Sequence, residues 1–135
     1  MPRRAYADAC LLIYLVERAG PLAEAATRWV LAQQEVTVCV SPLTRLEVLV
    51  EPMRSSNQAL VDAYSAVLAQ QEWLPIGDAV FARALKLRVQ HGQKTPDSLH
   101  LATALHHGCT EFWTTDDRFL AAAGALAVNV LAPTA

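Results

Sequence analysis

The feature that most constrains this chain is a repeated change of hydrophobic period. Short apolar runs at Ala5–Ala7, Val36–Val40, Trp73–Ile76, Glu111–Thr114 and Leu126–Val130 have strand length, and several are rich in β-branched or aromatic residues. Helical stripes stand between them. Leu22, Ala25, Ala26, Trp29 and Val30 recur along one helix face. Leu60, Tyr64, Val67 and Leu68 do the same, as do Phe81, Ala84, Leu85 and the aliphatic stem of Arg88. Strand and helix in alternation predict an α/β, doubly wound fold: a five-stranded parallel sheet with helices on both faces. Asp78 and Thr95 are expected N-caps, Pro96 opens a helix over Thr95–His107, and Gly92 and Gly108 follow helix ends.

A chain of 135 residues is expected to form one domain over residues 1–135. At that size roughly two-thirds of the unfolded surface is buried, enough for a core without staples. The formal net charge of -2 excludes a basic nucleic-acid coat and an acidic tail. Hydrophobic residues make up 53%, a surplus that suits an interface between chains. No run approaches the ~18 apolar residues of a membrane span, and Asp8 interrupts any leader peptide, so a cytoplasmic protein with no membrane contact is expected. Cys10, Cys39 and Cys109 have neither disulfide nor zinc spacing and are expected as small buried hydrophobes. There is no P-loop, G-x-G-x-x-G or G-x-S-x-G.

Doubly wound folds bind ligands outside the carboxyl ends of their strands, and several acids fall there. Asp8 directly follows the first strand and Asp116 and Asp117 follow the fourth. Asp97 is in the first turn of the Thr95–His107 helix, and Glu47 lies about two turns beyond the second strand. Each has a purely structural reading. Asp8, Asp116 or Asp117 can cap the helices Ala9–Val16 and Arg118–Ala123. Thr44 and Glu47 read as a capping box, and Asp97 suits a helix dipole.

Convergence changes the balance. Two like charges ~4 Å apart cost about 4 kcal/mol at an effective dielectric near 20, whereas a cap contributes only ~1 kcal/mol. Divalent cations offset such a cluster. Mg2+ or Mn2+ suits an all-oxygen donor set, keeps waters and needs few direct carboxylates. A pair of such ions can activate water and stabilise the leaving oxygen of a phosphodiester. Two of them would also bring the formal charge from -2 to +2 and let a polyanion approach.

Four blocks carry a further likeness: Tyr6-Ala7-Asp8-Ala9-Cys10-Leu11-Leu12-Ile13-Tyr14-Leu15, Ser41-Pro42-Leu43-Thr44-Arg45-Leu46-Glu47-Val48-Leu49, Thr95-Pro96-Asp97-Ser98-Leu99-His100-Leu101-Ala102-Thr103-Ala104 and Thr114-Thr115-Asp116-Asp117-Arg118-Phe119. In order and spacing, from Arg4 to about Val130, the chain resembles the PIN-domain family, in particular the VapC-type toxins of toxin–antitoxin modules. The resemblance implies Mg2+- or Mn2+-dependent cleavage of RNA by metal-site acids at Asp8, Glu47, Asp97 and Asp116, with Thr114 as hydroxyl support. It also implies a homodimer and a cognate antitoxin. Ala9 stands where the family commonly has Ser or Thr. Asp117 doubles the fourth acid, and the spacing Asp116-x-x-Phe119 favours Asp116 over it.

Two other readings accompany this one. A non-catalytic interaction domain keeps the fold without the chemistry. A phospho-acceptor receiver module also joins an acidic pocket to a doubly wound sheet, but Ala9 after Asp8 and the absence of any lysine beyond Lys94 count against it. His100, three residues after Asp97, is placed to support the acids rather than to bind an ion itself. His106 and His107 suit a helix C-terminus. Arg45, Lys94 and Arg118 lie beside the acidic blocks as surface charge or phosphate contacts, and Trp29, Trp73 and Trp113 are expected in the core.

Overall fold

The strand Arg3–Ala7 (β1) is the middle of the sheet, and its side chains alternate between two apolar layers. A computed structural model of the chain describes residues 2–132. β1 pairs in parallel with Val36–Val40 (β2) on one side and with Glu111–Thr114 (β4) on the other. Glu72–Trp73 (β3) extends the sheet beyond β2, and Ala127–Asn129 (β5) extends it beyond β4. The order β3-β2-β1-β4-β5, parallel throughout, is the expected five-stranded α/β sheet. It differs from the 2-1-3-4-5 order of receiver-type folds, which removes that reading.

Helices cover both faces, as a parallel sheet requires. On one face Tyr6, Cys39 and Phe112 pack with side chains of Asp78–His91 (α5) and Thr95–His106 (α6). On the other, Ala5, Ala7, Val40 and Trp113 pack under Ala9–Glu17 (α1), Pro21–Leu31 (α2), Pro42–Arg54 (α3) and Gln58–Ala69 (α4). Phe112 lies between Tyr6 and Phe119, with ring centroids 5.5 and 4.5 Å away. Trp113 meets Trp29 edge to face at 5.0 Å. A short helix, Leu120–Ala123 (α7), and a 3-10 turn at Gly124–Leu126 lead into β5. Among the described residues no helix is long and apolar enough to cross a membrane.

Several local expectations shift by a residue or more. The third strand ends at Trp73 rather than running to Ile76, because Pro75 has no N–H for the ladder. Leu126 belongs to the 3-10 turn and not to β5. Gly77 and Lys94, not Asp78 and Thr95, are the N-cap residues of α5 and α6. The capping box of α3 is made by Ser41 and Thr44, which leaves Glu47 out of it. Neither Asp116 nor Asp117 caps a helix with its side chain, since α7 starts only at Leu120.

The buried stripe of α5 is Val80, Ala84 and Leu87, whereas Phe81 and Leu85 are 53% and 64% exposed. Apolar residues on adjoining faces made two phases of the stripe possible, and packing on α6 and the sheet selects one. In α2 the small residues Ala23 and Ala26 face inward and Leu22 faces out. Trp73, expected in the core, is instead exposed on the edge strand; its Nε1–H donates to the Leu68 carbonyl at 2.9 Å, and the Arg45 guanidinium lies over its ring. Cys10 is exposed, while Cys39 and Cys109 are buried.

The phase of α5 is testable by thermal unfolding. Leu87→Ala should cost about 2–4 kcal/mol, as a buried truncation does. Leu85→Ala should stay within ~0.5 kcal/mol, and equal losses would contradict the assignment.

Candidate active site at the carboxyl edge of the sheet

Asp8 is where the chain leaves β1 and α1 begins. Its extended backbone (φ -75°, ψ 167°) makes it the N-cap, and its Oδ1 accepts the Leu11 N–H at 2.8 Å. The Asp8 N–H donates to the Trp113 carbonyl at 3.1 Å, locking the end of β1 to the end of β4. Capping uses only one carboxylate oxygen. Oδ2 is buried without a hydrogen-bond partner in a residue 1% exposed, and the Thr114 hydroxyl at the end of β4 is likewise buried and unpartnered. Burial pushes the Asp8 carboxyl above its ordinary range, against the pull of the nearby Thr114 hydroxyl, the Leu11 amide and the charges of Arg118 and His100.

Glu47 comes to the same edge from α3 and is held by His100, whose Nε2 meets Oε1 of Glu47. An ionised carboxylate only accepts, so Nε2 carries a proton. On the other side of the ring, Nδ1 is 2.6 Å from the Tyr6 hydroxyl, which also lies 2.8 Å from Ser41 Oγ and 3.3 Å from Thr44 Oγ1. Tyr6, Ser41, Thr44 and His100 are all buried. Burial raises the Tyr6 phenol far above its ordinary value, so it keeps its proton. This chain of hydrogen bonds fixes the imidazole and, through it, Glu47.

Asp97, in the first turn of α6, and Asp116, in the turn after β4, are joined by one side chain. Arg118 Nε is 3.2 Å from Asp97 Oδ2, and its Nη1 is 2.9 Å from Asp116 Oδ2. The Asp116 Oδ1 also accepts the Arg118 backbone N–H at 2.9 Å. Asp117 points elsewhere, its Oδ1 accepting from Asn129 Nδ2 at 3.2 Å. Glu47, Asp97 and Arg118 line an open cleft of about 520 Å³, closed on one side by the segment from His91 to Lys94.

The four acids Asp8, Glu47, Asp97 and Asp116 therefore share one edge of the sheet, while Asp117 turns toward β5. Among the described residues, no three acidic, imidazole or thiol side chains gather closely enough to hold an ion. The guanidinium of Arg118 stands between Asp97 and Asp116. The unpartnered Asp8 Oδ2 and the oxygen-only donor set nevertheless fit a hard divalent cation that retains waters. Sequence reasoning missed Tyr6, Ser41 and Thr44. The signal was a tyrosine hydroxyl between the two alanines at the buried end of β1, since a buried hydroxyl needs partners.

The family model described as PIN domain matches residues 5–125. A comparison with curated proteins found no match. Among solved structures, a toxin–antitoxin complex from Klebsiella pneumoniae is similar with a TM-score of 0.76 and 24% identity, over 93% of this chain and 97% of that one. VapC20 of Mycobacterium tuberculosis, a Sarcin-Ricin loop cleaving toxin, gives 0.74 and 16%, over 87% and 94%. VapBC2 from Rickettsia felis, bound to a DNA fragment from its promoter, gives 0.70 and 14%, over 93% and 97%.

The Asp8 environment has a measurable consequence. A carboxyl whose folded value is raised binds its proton more tightly in the native state, so metal-free stability falls as pH rises through the window above 3.8. Asp8→Asn keeps a capping oxygen for Leu11 and removes the buried, unpaired charge. In EDTA at pH 7 it should unfold later than the parent by an amount on the order of 1 kcal/mol, the scale of an unsatisfied buried acceptor. That gain should shrink toward pH 4, and a loss of stability at pH 7 would contradict it.

Proposed function

The chain belongs to the PIN-domain family, and from that premise we propose that it is a Mg2+- or Mn2+-dependent endoribonuclease, the toxin of a type II toxin–antitoxin pair. The observation carrying this reading is the unpartnered Asp8 oxygen at the same sheet edge as Glu47, Asp97 and Asp116. A buried carboxylate that, apart from the Leu11 amide, faces only the Thr114 hydroxyl is costly, and a cation would offset its charge.

In this reading Asp8, Asp97 and Asp116 hold the ions, with Glu47 completing the set and Thr114 supporting Asp8. When bound, one or two such ions supply the activation of water and the stabilisation of the leaving oxygen. The protein's part is preorganisation. The Leu11 amide fixes Asp8 so that only Oδ2 is free. His100, set by Tyr6, orients Glu47. The first turn of α6 places Asp97 where the helix dipole favours an anion. Lys94 and Arg118 at the cleft supply cationic side chains for a polyanion.

The substrate class and partners draw support from the relatives. VapC20 is a toxin that cleaves the Sarcin-Ricin loop, and the Klebsiella structure is a toxin–antitoxin complex. Exposed apolar residues support protein partners for this chain as well: Leu46 and Met53 on α3, and Phe81, Leu85 and Val89 on α5. A second copy and an antitoxin are the partners proposed.

The test is cleavage of total RNA by purified protein in Mg2+ or Mn2+, with mapping of 5′ ends. The parent should give discrete cuts. Asp97→Asn and Asp8→Asn should lower the rate by about 100-fold or more while remaining folded, as loss of a group stabilising the transition state does. Full activity in either variant, or no cutting by the parent in either ion, would overturn the proposal in favour of a non-catalytic interaction domain.

A further inference from the structure

The guanidinium of Arg118 occupies the space between two of the proposed metal-holding carboxylates, and it comes from the chain itself. It reaches Asp97 through Nε and Asp116 through Nη1, and it lies 4.9 Å over the Phe119 ring. Asp97 and Asp116 belong to different elements, α6 and the turn after β4, and Arg118 ties these two acids together. Its charge also acts on Asp8. Yet the side chain is 43% exposed and so is its partner Asp116. Solvent screens exposed ion pairs of this kind, so the contact can be broken. A released guanidinium stays tethered two residues from Asp116, and its planar fork matches a phosphate group.

From this we infer that Arg118 is a tethered counter-ion that competes with divalent metal for Asp97 and Asp116 and, once displaced, binds a phosphate of the RNA. The inference rests on the metal-dependent nuclease reading and deepens it, because it couples the two ligands. A phosphate that draws Arg118 away frees the carboxylates for metal, and by reciprocity bound metal frees Arg118 for phosphate. Metal alone should therefore bind weakly to the resting protein.

Mn2+ binding without RNA, followed by the EPR signal of the free ion, tests the first half. Arg118→Ala should bind Mn2+ about tenfold more tightly than the parent, the scale of typical coupling between two ligands. Arg118→Lys, which keeps a charge, should stay within about threefold of the parent. Equal or weaker binding by Arg118→Ala overturns the inference while the nuclease reading stands. If neither the parent nor Arg118→Ala binds Mn2+, the metal reading itself fails.

The second half is tested in the Asp8→Asn background, with a single-stranded oligoribonucleotide and Ca2+. Adding Arg118→Ala should make the slope of log affinity against log salt shallower by ~0.7, the loss of one phosphate contact. An unchanged slope would overturn the phosphate-binding role.

Discussion

Parallel pairing of β1 with β2 and β4 is the constraint on which everything else depends. Parallel strands end on the same side, so the residues that come after β1, β2 and β4 are all delivered to one edge. The strand order reverses between β1 and β4, where neighbouring connections leave in opposite directions and a crevice opens. Asp8 and Thr114 terminate the two strands that flank this point. The Asp8 N–H bond to Trp113 closes the gap between them at the backbone. A one-residue slip of either strand would turn Tyr6 and Phe112 out of their layer and separate that pair.

The polar interior of the site is costly in isolation and tolerable as a network. Tyr6, Ser41, Thr44 and His100 are buried, and each polar side chain has a partner. Fully satisfied networks of this sort rigidify what they touch. Here they touch Glu47. Asp8, Thr114 and, at the cleft wall, Gln93 are the exceptions among the described residues, each with an unpartnered buried oxygen. The protein thus satisfies the polar groups around His100 and leaves hydrogen-bonding capacity unmet at Asp8 and Thr114, which is where the proposed ion would bind.

Much of this was legible in the residues alone, for identifiable reasons. The switch between strand and helix periods is a strong signal, and it placed β1, β2 and β4 within two residues of their ends. The positions of the acids at strand ends came out of that alternation. Local chemistry was harder to read. Thr44-x-x-Glu47 and Ser41-x-x-Thr44 overlap, and only the fold shows that Ser41 is the cap and that Glu47 turns to His100. Phe81 and Leu85 looked like core because one-dimensional periodicity cannot tell two adjoining apolar stripes apart, and α6 determines which is buried. Arg118 stood beside the acids in the sequence, but its bridge between Asp97 and Asp116 depends on two elements that are distant in the chain.

The three thiols differ in what a reagent can reach. Cys39 and Cys109 are enclosed, whereas Cys10 is exposed on the first turn of α1, two residues from Asp8. A maleimide dye added to the folded protein would settle on a single position beside the cleft, giving an optical reporter without any engineered attachment point. Partial burial and the Asp8 charge hold the Cys10 thiol above its ordinary value, so conjugation would proceed faster in mildly alkaline buffer.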